Sequence, residues 1–383
     1  MNYREMGGVP VVLMTVSGSR AYGIEHSESD IDVKGACFGP VASYTGYRTR
    51  FEQTEHIGEA FSEAAAGTSW LAVAEAHGVE GTLYELRKFF KLAAECNPNV
   101  WESVWSDDRF VLAESSAGAR LREARELFLS AKAKYTFCGY ARSQLGRIET
   151  HRAWLLNPPK SQPIRGDFDL PERTLLPKAE LLALRAAVEK KLDEWEPDLG
   201  DLEPSRRTQL RAKFDLALTE VATTKDDLWI HAARSVGIGD DLIEVMGRER
   251  RYQRAARYWQ QYQGWVKGRN AERAELEAHY GYDVKHGAHL YRLLTMGLEI
   301  VRDGEVHVDR RGRDAELIKE IRRGAWSYEE IVTWAKATHS EVDETYRAMY
   351  KTKTMPPVIP EVPDTDALDA LCCELVVEYL GQA

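Results

Sequence analysis

The chain has 383 residues, enough for two domains of about 150 residues or one with a large helical extension. Hydrophobic residues at 44% and charged residues at 29% exclude wholesale disorder, and 51 Lys and Arg against 61 Asp and Glu leave a formal charge of -10, which excludes a generally basic coat for nucleic acid but permits a local basic groove. No apolar run approaches the roughly 18 residues of a membrane span, the start MNYREMGG is unlike a signal peptide, and Cys37, Cys96, Cys138, Cys372 and Cys373 show no C-x-x-C spacing, so a reduced, cytoplasmic chain with no membrane partner is expected.

The first hundred or so residues alternate strand and helix signals. Residues 9–16 (VPVVLMTV) form a continuous apolar, β-branched run that predicts a buried central strand, followed by a glycine loop, SGSRAYG. Residues 29–33 (SDIDV) alternate polar and apolar, as a second strand does. Residues 79–84 (VEGTLY) give a third, weakened by Gly81. ELRKFFKLAAEC then places Leu86, Phe89, Phe90 and Ala93 on one helix face, and Asn97-Pro98 reads as the cap and first position of the next helix, with Trp101, Glu102 and Trp105 in its packing stripe. Beyond about residue 110 the strand signals nearly vanish. Helical periodicity is expected through residues 114–156 and again over 175–195, with a proline-rich loop at 157–176 between them. It then continues to about residue 350, with turns at 237–241 and 302–304, and a last helix, ALDALCCELVVEYL, follows a proline cluster. The expected architecture is α+β: an α/β head with a small mixed sheet at residues 1–110, followed by a large all-α domain at 111–383.

The stretch that carries chemistry is Gly18-Ser19-Arg20-Ala21-Tyr22-Gly23 followed by Ser29-Asp30-Ile31-Asp32-Val33-Lys34-Gly35. Two positions apart on a strand, Asp30 and Asp32 point to one face. Like charges held together raise a pKa unless a cation sits between them, and hard divalent ions such as Mg²⁺ or Mn²⁺ prefer such oxygen ligands. Gly18 admits close approach of phosphate oxygens, while Ser19 and backbone N–H groups can donate to them. A triphosphate held there would suit a two-ion centre that activates a hydroxyl and neutralises the leaving pyrophosphate. The competing reading is an acidic, solvent-facing strand beside a turn. The loop is not a Walker P-loop, because Ile24 and Glu25 stand where Lys and Ser or Thr are required, and Gly237-Ile238-Gly239 is no dinucleotide fingerprint.

GSRAYG followed by SDIDVKG resembles the signature of the DNA polymerase β-type nucleotidyltransferase superfamily. The series GSRAYG, SDIDVKG, YELRKFFKLAAECNPNVWE, GYARSQLGRIETHR, VKHGAHLYRLL and IRRGAWSYEE resembles, more narrowly, the bacterial and phage RNA-repair-associated (RlaP, RNA-ligase-associated) nucleotidyltransferases, over about residues 10–335. The resemblance implies a polymerase β-like head in which Gly18 and Ser19 hold nucleotide phosphates and Asp30 and Asp32 bind metal. It implies a third carboxylate on a neighbouring strand, for which Glu80 is the candidate in place of the usual aspartate, with Glu75 and Glu85 as rivals; Glu85 also suits a helix start.

Around this motif, Arg20 and Lys34 can neutralise triphosphate charge or pair with Glu25 or Glu28, and Tyr22 can stack on a base or cover a core edge. Residues 130–165 and 247–269 each carry seven Lys or Arg against one Glu. The first zone includes Arg142 and Arg147, and the second is interleaved with aromatics. Either an amphipathic helix with a solvated basic face or a nucleic-acid contact fits these zones. Lys285, His286, His289 and Arg292 fall in one helical stretch, with 286, 289 and 292 on one face. As a zinc pair, His286 and His289 lack an evident third ligand, so contacts to phosphate or to an acceptor, or the capping of buried polar groups, are expected. The expected activity is transfer of a nucleotide from a nucleoside triphosphate, ATP among them, to an acceptor hydroxyl with two Mg²⁺ (or Mn²⁺) ions. The favoured acceptor is an RNA, tRNA-like 3′ end, and RNA ligase or other repair proteins are candidate partners. Transfer to a protein or small-molecule hydroxyl, and a nucleotide-sensing module without turnover, are the alternatives.

Overall fold

The computed structural model describes residues 3–173, 225–269 and 271–382, with residues 179, 182, 183, 186–188, 190 and 191 between them. Strands β1 (Arg4–Met6), β2 (Val9–Ser17), β3 (Ile31–Cys37), β4 (Gln53–Thr54), β5 (Val79–Glu85) and β6 (Val111–Glu114) form one mixed sheet in the order β1-β2-β3-β5-β4, with β6 also on β2. β2 is antiparallel to β1, β3 and β6, β3 is parallel to β5, and β4 is antiparallel to β5. The continuous apolar run of β2 follows from cover on both faces. Met14 and Val16 join Ile31, Val33 and Phe61 on one side, while Leu13 joins Ala36, Phe89 and Trp101 on the other.

Three short strands, β1, β4 and β6, were not legible as strands, because two to four residues are too few for a period of two to show. The second expected strand starts at Ile31, two residues later than the pattern suggested, and runs on to Cys37. The backbone oxygens of Ser29 and Asp30 accept from Arg20 instead of entering the ladder. Gly81 does not make β5 irregular. Pairing with β3 runs without a shift from Ile31↔Val79 to Cys37↔Glu85, and a Cβ at Gly81 would stand 2.3 Å from the Val33 carbonyl oxygen. The glycine is what lets the two strands close.

Capping follows the sequence. Glu85 accepts from the Lys88 N–H at the start of the helix Leu86–Ala94, and Asn97 accepts from the Asn99 N–H ahead of Pro98 in the helix Pro98–Val104. The region expected to be helical throughout 114–156 is instead broken into the helix Ser116–Glu123, a tight turn Arg125–Phe128, and the long helix Ala133–Leu156. The break arises where the chain is held from outside: Ala131 N–H donates to the Pro360 carbonyl, 2.8 Å away, in the proline-rich segment. Further on come the helices Lys225–Ser235, Asp240–Gly268, Ala271–Tyr280, Val284–Asp303, Ala315–Arg322, Tyr328–Tyr346 and Thr365–Leu380. The turns expected near Gly237 and Gly304 are present, with both glycines left-handed. The helical pattern read over 175–195 lies mostly outside the described residues. No helix of the described residues is long and apolar enough to cross a membrane.

The chain divides into two compact units, residues 1–152 with 275–383, and residues 153–274. In the first, Leu290, Leu293 and Ile300 of the helix Val284–Asp303 share a core with Phe137, Ala141 and Ile148. In the second, aromatics of the basic zone meet Trp154, although Tyr258 stays exposed. Trp154 is 4% exposed and meets Tyr258, Tyr262 and Trp265 at ring-centroid distances of 5.6, 5.8 and 5.4 Å. There the guanidinium of Arg250 lies over Trp229 and that of Arg269 over Trp265, while Arg165 pairs with buried Glu249. These rings pack on one another and on their own arginines.

Two glycine substitutions test this reading. Gly81→Ala should cost about 1–3 kcal/mol in urea unfolding, because its methyl group overpacks against the β3 backbone. Gly139→Ala has open space around its Cβ in the middle of a helix and should be stabilising by up to about 1 kcal/mol. Equal effects at the two positions would contradict the packing described.

Candidate active site

The end of β2 positions the motif. Ser17 is the register partner of Asp32 on β3, and Gly18, with φ at 66°, starts α1 (Gly18–Tyr22). The expected glycine loop is therefore a single helical turn, closed by left-handed Gly23, whose N–H donates to the Arg20 carbonyl. A Cβ at Gly18 would lie 1.9 Å from Asp32 Oδ2. Both the left-handed backbone and the pressing carboxylate demand glycine. The Ser17 hydroxyl, 3% exposed, has no hydrogen-bond partner among the described residues.

Asp32 presses on this turn, the charge of Asp30 acts on it, and Glu80 stands one strand over. Asp30 is exposed just before β3, Asp32 is half-buried within it, and exposed Glu80 is the parallel-register partner of Asp32 on β5. Register partners on adjacent parallel strands project to the same face, with backbones about 4.8 Å apart. Glu80, not Glu75 or Glu85, holds that position: Glu75 lies on the helix Ser69–His77 and buried Glu85 caps the helix Leu86–Ala94. The Asp32 carboxyl is pushed above its ordinary range, first by burial and then by the charge of Asp30; Lys34 and Lys285 oppose the shift and Glu102 adds to it. An all-oxygen set with excess negative charge beside an open backbone turn and an unpartnered buried hydroxyl fits a hard divalent ion with phosphate next to it.

The cations expected nearby divide into two groups. Lys34 is half-buried and Lys285 exposed, and both act electrostatically on Asp32; exposed Arg147 and Lys285 both act on His289. These remain candidate phosphate contacts. Arg20 instead braces the loop ahead of β3 by donating to the Asp30 and Ser29 carbonyls, and the expected alternatives do not form: Glu25 pairs with Arg311 and Glu28 lies by His77. Arg142 stands beside His339, 3.4 Å away, along an apolar groove with Leu145, Leu290 and Ala335.

Arg292 is 1% exposed and does not reach solvent, contrary to the expected acceptor contact. Its Nη1 donates to Glu102 Oε1 at 2.6 Å, its guanidinium covers the Tyr22 ring at 3.9 Å, and the Tyr22 hydroxyl donates to Glu102 Oε2. Tyr22 is thus part of the core below the motif and does not stack on a base. His289 Nδ1 accepts from Arg292 Nη2, and burial followed by the charge of Arg292 pushes its pKa down to about 3, so the ring is neutral at physiological pH. His289 and His286 do not act as a pair: His286 turns to Asp283 and His151. The sequence reading missed the role of Glu102. Its signal was an acid placed between Trp101 and Val104 in the packing stripe of PNVWESV, where a buried charge needs a partner.

Residues 2–155 match the family model described as RlaP, RNA repair pathway DNA polymerase beta family. This part of the chain is similar to that family. RlaP proteins are polymerase β-type nucleotidyltransferases of an RNA repair pathway. The match takes in the whole sheet, the Gly18 turn, the three carboxylates and nearly all of the helix Ala133–Leu156, while Lys285 and Arg292 lie beyond it. Comparisons with curated proteins and with solved structures gave no match.

The raised pKa of Asp32 has a stability consequence whose sign is fixed. A carboxyl that binds its proton more tightly when folded adds stability below the unfolded pKa of about 4 and loses it as pH rises through the folded value. At neutral pH ionised Asp32 therefore opposes folding. Asp32→Asn should raise the melting temperature at about pH 7, with the gain vanishing below about pH 4. A lower melting temperature for the variant at neutral pH would refute the electrostatic reading. Glu102→Leu leaves the Arg292 charge buried and uncompensated, and should cost about 3–5 kcal/mol in denaturant unfolding; Glu102→Leu with Arg292→Met should recover much of that loss.

Proposed function

We propose that the protein transfers a nucleoside monophosphate from a nucleoside triphosphate to a 3′-hydroxyl of RNA, with release of pyrophosphate. The observation that carries this is the closure of Asp32 on Gly18, with the charge of Asp30 acting on it and Glu80 in register one strand over. Asp30, Asp32 and Glu80 would hold Mg²⁺, which when bound supplies positive charge for the triphosphate and acidifies the attacking hydroxyl. The Gly18 backbone, free of a Cβ, lets phosphate oxygens approach, and the Ser17 and Ser19 hydroxyls can donate to them. Lys34, Lys285 and Arg147 add positive charge on the same side. The acceptor oxygen forms its bond to the α-phosphorus as the bond to the bridging oxygen of pyrophosphate breaks, and the hydroxyl proton passes to one of the carboxylates.

The RNA acceptor rests on the family's RNA repair pathway and on the basic residues of the helix Ala133–Leu156. Incubation with each α-labelled triphosphate, Mg²⁺ and intact or cleaved tRNA should label the RNA. Asp30→Asn with Asp32→Asn should lower the rate by at least about 10³-fold, the scale of removing preorganised charge stabilisation, while Glu75→Gln should leave it within about twofold. A fully active double variant would refute the assignment. An RNA acceptor held through several phosphates should lose affinity with a log–log salt slope of about -0.7 per contact; a flat response would instead indicate a protein or small-molecule hydroxyl.

A further inference from the structure

A second cluster of chemically capable side chains lies apart from the three carboxylates. His151 stands near the end of the helix Ala133–Leu156, Asp283 caps the helix Val284–Asp303, and His286 lies in that helix's first turn. One donor atom from each falls within 4.8 Å of the other two. The side chains are 16%, 1% and 14% exposed, and the two imidazole rings are 5.8 Å apart at their centroids. Behind His151, Glu277 Oε1 stands 3.7 Å from Nδ1 on a side chain that is 1% exposed. All four residues belong to the same compact unit.

We propose that His151, Asp283 and His286 form a binding site for one divalent transition-metal ion, zinc first among them, with Glu277 orienting His151. Two imidazoles and one carboxylate are a recurrent mixed nitrogen–oxygen donor set for Zn²⁺, distinct from the all-oxygen set of Asp30, Asp32 and Glu80, which suits Mg²⁺. A carboxylate behind a ring nitrogen is the usual outer-shell support of a metal-bound histidine, since it fixes the tautomer and leaves the other nitrogen for the ion. Asp283 is already held, because its Oδ1 accepts from the His286 N–H at 3.0 Å and Oδ2 stays on the side of His286 Nε2, 3.6 Å away.

An ion here would tie the end of one long helix to the beginning of another, next to Lys285 and one turn before His289. Its role is therefore to fix the helix that presents Lys285 toward Asp32. The binding site itself does not depend on the proposed transfer reaction.

The test uses full-length protein without an affinity tag, stripped with chelator and then dialysed against micromolar Zn²⁺. One zinc per chain is expected by elemental analysis, with a rise in melting temperature of several degrees over the stripped protein. Co²⁺ in place of zinc should give visible d–d absorption of low symmetry. His151→Gln and His286→Gln should each cut zinc content at least tenfold and abolish the melting shift, while Asp32→Asn should retain both, which separates this site from the proposed active centre. Should a glutamine variant fail to fold, the cobalt spectrum of the wild-type protein still decides. Less than about a tenth of a zinc per chain in folded wild-type protein, featureless Co²⁺ spectra, or undiminished binding in a folded His286→Gln variant would overturn the proposal.

Discussion

The contact between Asp32 and the α-carbon of Gly18 is the constraint around which the head is built. With Oδ2 occupying the space where a Cβ would project, the turn after β2 admits only glycine, and it must start left-handed. The carboxylate is thereby held partly out of water, beside Asp30 and in register with Glu80. The result is a concentration of negative charge that disfavours folding and favours a cation. Sites of this kind are often paid for elsewhere in a fold, and here the compensation lies in the well-packed layers on both faces of β2.

The compensation is concrete directly below the motif. Tyr22, at the end of the turn that Gly18 starts, is fixed by Glu102 from the helix Pro98–Val104 and by Arg292 from the helix Val284–Asp303. Arg310 N–H donates to the Tyr22 carbonyl, Arg311 to the Arg20 carbonyl and to Glu25, and Arg322 to the Ile24 carbonyl. A stretch some three hundred residues downstream thus grips the backbone of the motif from behind. Lys285 reaches the neighbourhood of Asp32 because the helix that carries it is anchored by the same buried arginine. The charged pair that links that helix to the motif is sealed from solvent, where loss of one partner is costly.

Cationic residues illustrate how little composition says about use. Both basic zones looked alike as sequence, each with seven positive residues against one acid. In the second, Arg250 and Arg269 cover indole rings, and Arg165 of the first neutralises Glu249. Arg147, by contrast, stays exposed on a helix face near His289. A charge pattern gives the number of cations, and packing decides which of them face solvent.

The sequence by itself determined the local features whose causes are local. The apolar run of β2, the caps at Glu85 and Asn97, the left-handed Gly304 and the glycine-serine-acid spacing of the motif could each be read from a few adjacent residues, because capping, backbone freedom and side-chain alternation act over short distances. Glu80 came from the resemblance, and its register with Asp32 awaited the parallel pairing of two strands nearly fifty residues apart. Only the tertiary structure decided that Arg292 is sealed under Tyr22, that Gly81 is required by the Val33 carbonyl, and that His286 meets His151 and not His289. Those outcomes depend on which surfaces are brought together by long-range packing, and no pattern along the chain encodes them.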